Sequence, residues 1–168
     1  MPTDLDYLAP TTVDEAIALQ AMPGTAWLLG GTDLLPQMRA GRKAPERLVD
    51  LKRIPGLHEI RESADGGLCI GAAVPLADVE THPGVLDRFP LLAECAKTVG
   101  AWPLRQRATL AGNLCNASPA ADTAVALLAL DAEVRVASTA GRRSIPIREF
   151  FLGPGLAALS PGDLVTEI

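Results

Sequence analysis

A pair of glycines between an apolar strand and a helix is the sequence feature that most restricts the fold. An apolar run at residues 27–29 stops at the glycine pair 30–31, and helical spacing of apolar residues resumes after Asp33. Glycine has no Cβ, so such a turn can approach another segment or a ligand, and its N–H groups can bind an anion. This first glycine loop, residues 28–34, predicts a phosphate site. Alternatively, Thr32 and Asp33 simply cap the helix that follows.

A second segment, residues 109–122, consists almost entirely of small, hydroxyl-bearing or amide residues. We expect a loop whose backbone lies against a ligand while its polar side chains supply hydrogen bonds. The absence of charge before Asp122 favours one wall of a cofactor cleft. The alternative is an elaborate loop that ends where Ser118 caps a helix, with Pro119 as the first helical residue. Arg105, just before this segment, could neutralise a phosphate, but we expect it on a solvated face.

Hydrophobic periodicity divides the 168 residues into an early α/β unit and a larger α+β unit. In the early unit, a capped helix starts near Thr12, strands follow at residues 27–29 and 48–51, and the unit ends near Arg53. Later helices are predicted from residue 75, over residues 90–100 and over 120–131, and later strands over 67–72, 133–137 and 143–147. Residues 164–168 are strand-like, and we expect this last strand to need a neighbour, as in a truncated domain.

Charge and composition exclude several classes of protein. A formal net charge of −5 without long basic clusters argues against nucleic-acid binding. No apolar run reaches the roughly 18 uncharged residues of a membrane span, and the N-terminus lacks the pattern of a signal peptide. A cytoplasmic location is therefore expected. The spacing of Cys69, Cys95 and Cys115 predicts no metal site, and no set of side chains predicts nucleophilic catalysis, so no metal ligand and no catalytic residue is assigned.

Together the two segments resemble those of the FAD-binding subunits of molybdenum hydroxylases, the family of the carbon monoxide dehydrogenase medium chain and the xanthine dehydrogenase flavin domain. The resemblance lies in LGGTDLL at residues 29–35 and TLAGNLCNASPAAD at residues 109–122, in that order. Supporting similarity is found in LVDLKRIPGL at residues 48–57, GAAV at 71–74 and LLALDA at 127–132. It extends over residues 7–168.

The resemblance implies that FAD is the cofactor and that backbone amides of the first glycine loop wrap its pyrophosphate and ribityl chain. It further implies that Asp122 contacts the nucleotide side and that Val165 lies roughly where relatives place an apolar contact to the isoalloxazine. The cofactor-binding residues implied in this way are Leu28, Leu29, Gly30, Gly31, Thr32, Asp33, Leu34, Thr109, Leu110, Ala111, Gly112, Asn113, Asp122 and Val165.

The fold implied by the resemblance is an α+β, two-lobed FAD-binding domain. It has a small α/β lobe over residues 1–53 and a larger lobe over residues 54–168, with a mainly antiparallel sheet and flanking helices. FAD lies between the lobes, and the C-terminal domain of the family is absent. A cysteine-rich insertion that some relatives carry after the second segment is missing, because Cys115 leads directly to Asn116, so no extra iron–sulfur cluster is expected.

The function implied is that of an oxidoreductase subunit that passes electrons from iron–sulfur clusters through FAD to a final acceptor. Its partners would be an iron–sulfur small subunit and a molybdenum-cofactor large subunit. The competing hypothesis is a flavin-free scaffold or interaction module for those partner subunits.

Overall fold

The computed structural model describes residues 5–20, 22–64 and 66–168, and it mixes helices with sheets. The strands are β1 (Asp6–Leu8), β2 (Thr25–Leu28), β3 (Arg47–Asp50), β4 (Ile60–Glu62), β5 (Leu68–Ile70), β6 (Glu133–Ser138), β7 (Gly141–Pro146), β8 (Phe151–Gly153), β9 (Leu156–Ala157) and β10 (Leu164–Glu167). The helices are α1 (Val13–Gln20), α2 (Leu34–Arg39), α3 (Leu76–Thr81), α4 (Pro83–Arg88), α5 (Pro90–Thr98), α6 (Trp102–Arg105), α7 (Leu110–Asn116), α8 (Asp122–Ala129) and α9 (Ile147–Phe150). A 3-10 turn covers Leu51–Arg53.

The early part of the chain builds a parallel sheet with the strand order β1–β3–β2. Helices α1 and α2 connect its strands, as parallel pairing requires. Helix α1 begins where the sequence predicts, because the Thr12 hydroxyl accepts a hydrogen bond from the Glu15 amide at 3.1 Å. Strand β2 lies at the edge of this sheet, so one side of its backbone is available for another contact.

The later part builds antiparallel sheets. Strand β6 pairs with β7 on one side and with β10 on the other. The far side of β10 is also paired: the Ile70 amide donates to the Ile168 carbonyl at 2.7 Å, and the Ala72 amide donates to the Thr166 carbonyl at 2.9 Å. The expectation that the last strand lacks a neighbour is therefore wrong, because residues 70–72 cover its free edge.

Two main clusters of buried apolar residues hold these layers together. The larger one joins helices α3, α5, α7 and α8 to strand β6, with Leu76, Leu110 and Val134 all at 0% exposure. A second cluster packs Ala16 and Ile17 of α1 against Ala137 and Leu164 of the antiparallel sheet. Buried apolar contacts thus join the early part of the chain to the later part.

The composition of the second segment predicts a loop, but this segment contains helix α7. The Thr109 hydroxyl accepts a hydrogen bond from the Gly112 amide at 3.0 Å and caps the helix, which ends at Ala117 with a left-handed φ of 46°. Glycine and asparagine are poor helix formers. Packing outweighs this preference, because Leu110, Ala111 and Leu114 are fully buried.

Helix α8 also begins later than predicted. Its first residue is Asp122, its N-cap is Ala121, and no side chain caps it. Ser118 instead accepts a hydrogen bond from the Ala120 amide at 3.2 Å, which closes a short turn. The predicted start with Ser118 as cap and Pro119 as first helical residue is therefore wrong.

A polar link ties the parallel sheet to the turn before β10. The Trp27 ring nitrogen donates to the Asp163 carbonyl at 2.8 Å. The Asp163 carboxylate is buried and accepts two hydrogen bonds from Arg143, at 2.8 and 2.7 Å, and one from the Ser160 amide. The hydrogen bonds from Arg143 lower the pKa of Asp163 although burial acts to raise it. A buried charge paired in this way holds the turn in one position.

Replacing Thr109 with Val should lower the free energy of unfolding by about 1–2 kcal/mol, because the change keeps the shape but leaves the Gly112 amide without its acceptor. Ser118→Ala is the matched control and should cost below about 0.5 kcal/mol. Urea unfolding measures both. A larger loss for Ser118→Ala would mean that Ser118 is the more important cap.

The link at Asp163 predicts a pH-dependent stability. A carboxylate whose pKa is lower in the folded state than in the unfolded state stabilises the folded state at pH values above the unfolded pKa of about 3.9. This stabilisation disappears as the pH falls through the folded pKa. The stability difference between the protein and its Asp163→Asn variant should therefore be constant from about pH 7 to pH 5 and shrink below about pH 4. Urea unfolding across this range is the measurement.

Asp131→Asn is the control for this pH series, because the Asp131–Arg148 pair is 3.6 Å apart and exposed on both sides. Asp131→Asn should leave the free energy of unfolding at neutral pH close to that of the native protein. A flat profile for Asp163→Asn would contradict the assignment.

Candidate functional site

A cleft of about 770 Å³ opens between the first glycine loop and helix α7. This volume lies in the range of about 300–1,000 Å³ that is typical of small-molecule sites. The predicted residues that line it are Leu28, Leu29, Gly30, Gly31, Thr32, Asp33, Leu34, Thr109, Gly112, Asn113, Asp122 and Val165. Two segments some 80 positions apart in sequence thus face one cavity.

Leu110 and Ala111 are the two predicted site residues that do not line the cleft. Both side chains have 0% exposure and belong to the larger core cluster. They occupy the first turn of α7, behind the wall that Thr109 and Gly112 present. Their side chains support the cleft from the core side and are not available to a ligand.

Gly30 allows the two segments to meet. A Cβ at this position would overlap the carbonyl oxygen of Arg107 and crowd the backbone of Ala108. Gly31 has a φ of 72°, a conformation that favours glycine, and a Cβ there would touch Leu28 and Leu35. Gly30 is thus needed for the backbone contact itself and Gly31 for the conformation of the loop, besides any role towards a ligand.

The backbone amides of the first glycine loop are free to bind. Among the described residues, no acceptor takes a hydrogen bond from the N–H groups of residues 30–33. The loop carbonyls are engaged instead: Gly31 accepts from the Leu35 amide and Asp33 from the Gln37 amide, both at 3.1 Å. Unpaired amides on a cavity wall need an acceptor, and an anionic oxygen is the strongest one available.

The carbonyl of Leu29 is held from behind the loop. The Lys52 ammonium donates to this carbonyl at 2.9 Å and to the Asp50 carboxylate at 2.7 Å. Asp50 is buried and also accepts from the Tyr7 hydroxyl and the Lys52 amide. Burial acts to raise the pKa of Asp50, but the hydrogen bonds from Lys52 and Tyr7 outweigh it and lower the pKa.

The side-chain carbonyl oxygen of Asn113 is bonded to the protein, and its side-chain nitrogen is free. Its carbonyl oxygen accepts from the Thr123 hydroxyl at 2.6 Å, and Thr123 is fully buried. Its amide nitrogen has no hydrogen-bond partner among the described residues, and Asn113 lines the cleft. This side chain can therefore donate to a ligand without giving up its structural bond.

The cleft extends along the free edge of β2, which the sequence-based site prediction missed beyond Leu28. Thr25, Ala26 and Trp27 line it there, and Gln37 and residues 43–45 also belong to the lining. The strand order was the missing information, because only an edge strand leaves its backbone open to a cavity.

Charge in the cleft is mostly negative. Among the described lining residues, Asp33, Asp122 and Asp163 carry carboxylates and Lys43 alone carries a cation. Asp163 is neutralised by Arg143. A bound phosphate would therefore rely on neutral N–H donors more than on basic side chains.

Arg105 is buried, so its expected place on a solvated face is wrong. Its guanidinium forms an ion pair with Glu80 at 2.9 Å, and both side chains are at most 10% exposed. It also donates to the carbonyls of Val99 and Gly100, two residues that line the cleft. Arg105 shapes this wall from behind. The sequence alone does not show that Glu80 lies opposite it.

The described residues contain no group of histidine, cysteine, aspartate or glutamate that could hold a metal ion. Cys115 lines the cleft, and desolvation by the surrounding protein atoms raises the pKa of its thiol to about 12. No helix in the described part of the chain is long and apolar enough to cross a membrane.

Comparison with known proteins places this chain in a family. The model of the FAD-binding domain in molybdopterin dehydrogenase matches residues 3–168. The chain is 36% identical to the carbon monoxide dehydrogenase medium chain of Hydrogenophaga pseudoflava, over 100% of this chain and 59% of that one. It is 35% identical to the 6-hydroxypseudooxynicotine dehydrogenase complex subunit alpha of Paenarthrobacter nicotinovorans, over 99% of this chain and 57% of that subunit.

The fold agrees with a solved relative. A carbon monoxide dehydrogenase from Hydrogenophaga pseudoflava superposes with a TM-score of 0.94 at 35% identity, and the match covers 99% of this chain and 58% of that one. The chain thus spans less than three fifths of the length of these relatives. The family match over nearly every residue agrees with the two-segment cleft, and this chain belongs to the family of FAD-binding domains of molybdopterin dehydrogenases.

Proposed function

We propose that this chain binds FAD in the cleft and carries electrons through it as part of a molybdenum-containing hydroxylase. The observation that carries the proposal is the set of unpaired amides at residues 30–33 on the wall of a cleft of about 770 Å³. In a family of FAD-binding domains, a diphosphate is the anion that such amides suit.

The predicted residues take distinct roles in this proposal. The amides of the first glycine loop bind the diphosphate, and the free amide nitrogen of Asn113 donates a further hydrogen bond. Asp122 contacts the nucleotide side, and Val165, which is 5% exposed, offers an apolar contact to the isoalloxazine. Leu110 and Ala111 contribute only by supporting the cleft wall from the core side, because neither residue lines the cleft.

Bound FAD would supply the redox chemistry. The chain itself then binds, orients and shields the cofactor, and we assign it no catalytic residue. We further propose the division into a small lobe, residues 1–53, and a larger lobe, residues 54–168, with the cofactor between them. The change from a parallel to an antiparallel sheet supports this division.

The partners we propose are an iron–sulfur small subunit and a molybdenum-cofactor large subunit. Two relatives are named as a medium chain and as a subunit of a complex, which supports a multi-subunit assembly. Because the chain spans only part of these relatives, the oxidoreductase activity is proposed for the whole protein. The cytoplasmic location stays a prediction.

Titration of the purified, flavin-free chain with FAD should quench the fluorescence of Trp27, because this indole lines the cleft. Trp102 lies outside the lining residues and is 49% exposed, so Trp102→Phe should keep most of the quenching. The measured quantities are the Kd and the quenched fraction. A chain that stays unquenched with excess FAD, and that is colourless after the free FAD has been removed, would favour the flavin-free scaffold.

Asn113→Asp should weaken FAD binding by about tenfold or more while leaving the melting temperature of the free protein nearly unchanged. The new carboxylate still accepts from Thr123, but it replaces the free donor with an acceptor in the cleft. Cys115→Ser, at a lining position on the same helix, is the control and should keep the Kd of the native chain. Equal losses of affinity in both variants would contradict the role of Asn113.

A further inference from the structure

Lys52 contacts the first glycine loop from outside the cleft. Its ammonium lies 2.9 Å from the Leu29 carbonyl oxygen, and Lys52 is not among the residues that line the cleft. The lysine side chain is 28% exposed, so solvent screens this contact only in part. Lys52 thus acts on the loop through one carbonyl.

A buried carboxylate and the backbone of Lys52 itself hold the ammonium in place. Asp50 binds it at 2.7 Å through a carboxylate whose side chain is 8% exposed. The Tyr7 hydroxyl donates to the other oxygen of the same carboxylate. The backbone of Lys52 is fixed as well, because its amide donates to Asp50 at 3.0 Å and its carbonyl is 2.7 Å from the His58 ring nitrogen. A side chain ordered in this way loses little entropy when it orients the loop.

The Leu29 carbonyl and the Gly30 N–H belong to one peptide unit. In a trans peptide these two groups point in opposite directions, so a carbonyl directed at Lys52 turns the Gly30 N–H away from Lys52. Gly30 lines the cleft, and its N–H has no acceptor among the described residues. A hydrogen bond from an ammonium to the carbonyl also polarises the peptide and makes its N–H a stronger donor.

We infer that Lys52 is a positioning residue for diphosphate binding: its contact with the Leu29 carbonyl orients and polarises the Gly30 amide. The inference rests on the proposed function, because it needs FAD in the cleft. It places an ammonium, itself paired with Asp50, behind the amides of a cleft in which Lys43 is the cation among the described lining residues.

The test compares ligands with and without phosphate. In Lys52→Met, the Kd for FAD should rise about tenfold or more, as expected for the loss of a charge-assisted bond. The Kd for riboflavin, which lacks both the diphosphate and the adenosine of FAD, should stay unchanged. A change in the ratio of the two constants then places the effect on the diphosphate–adenosine half of FAD and not on the flavin ring. Lys52→Arg should restore most of the affinity for FAD, because it keeps both charge and donor.

Two further variants keep the outcome clear. Lys97→Met removes an exposed lysine in the last turn of α5 that does not line the cleft, and this variant should bind both ligands like the native chain. If Lys52→Met does not fold, Lys52→Gln takes its place, because it keeps a donor without the charge. Its ratio of the Kd for FAD to the Kd for riboflavin should be higher than the ratios of the native chain and of Lys52→Arg.

The results separate the two hypotheses. A native chain that binds neither ligand overturns the proposed function. The role of Lys52 is overturned if the native chain binds FAD and the Lys52 variants lose affinity equally for FAD and riboflavin, or lose none for either ligand. The proposed function then still stands.

Discussion

The backbone contact between Gly30 and Arg107 determines how the parallel sheet meets the rest of the molecule. Any side chain larger than hydrogen at position 30 would overlap the Arg107 carbonyl. This contact brings the first glycine loop against the residues that immediately precede helix α7, so both segments line one cleft. Gly30 is therefore required by the fold itself. Any effect on a ligand is indirect, because Gly30 determines the position of the neighbouring amides.

Three polar networks hold the walls that this contact creates. Asp50 fixes Lys52 behind the first glycine loop, Asp163 fixes the turn beneath Trp27, and Arg105 fixes the carbonyls of Val99 and Gly100. In each network a charged side chain that is buried or nearly so is paired with an opposite charge and with a backbone group. Unpairing such a charge is costly, so these networks favour one arrangement of the walls. Pre-organised walls reduce the ordering that a ligand must impose when it binds.

The sequence predicts much of this site from local pattern alone. The apolar run before Gly30 and the capped helix at Thr12 depend on neighbours within a few residues, and both are confirmed. The prediction fails where distant contacts decide the structure. Residues 110–116 form a helix because Leu110 and Leu114 are buried by other elements, and Arg105 is buried because Glu80 lies beside it. The open edge of β2 follows from strand order, which local sequence does not encode.

The balance of charge in the cleft restricts what can bind there. Three carboxylates line it, one of them neutralised by Arg143, and Lys43 is the cation among the described lining residues, so a small free anion gains little from long-range attraction. In the proposed function, affinity comes from short-range contacts: amides at residues 30–33, the open edge of β2 and apolar residues such as Val165. An extended ligand that carries its phosphates between two ring systems can use all three at once. A simple phosphate can use only the amides, which explains how a cleft with a negative lining can still select a dinucleotide.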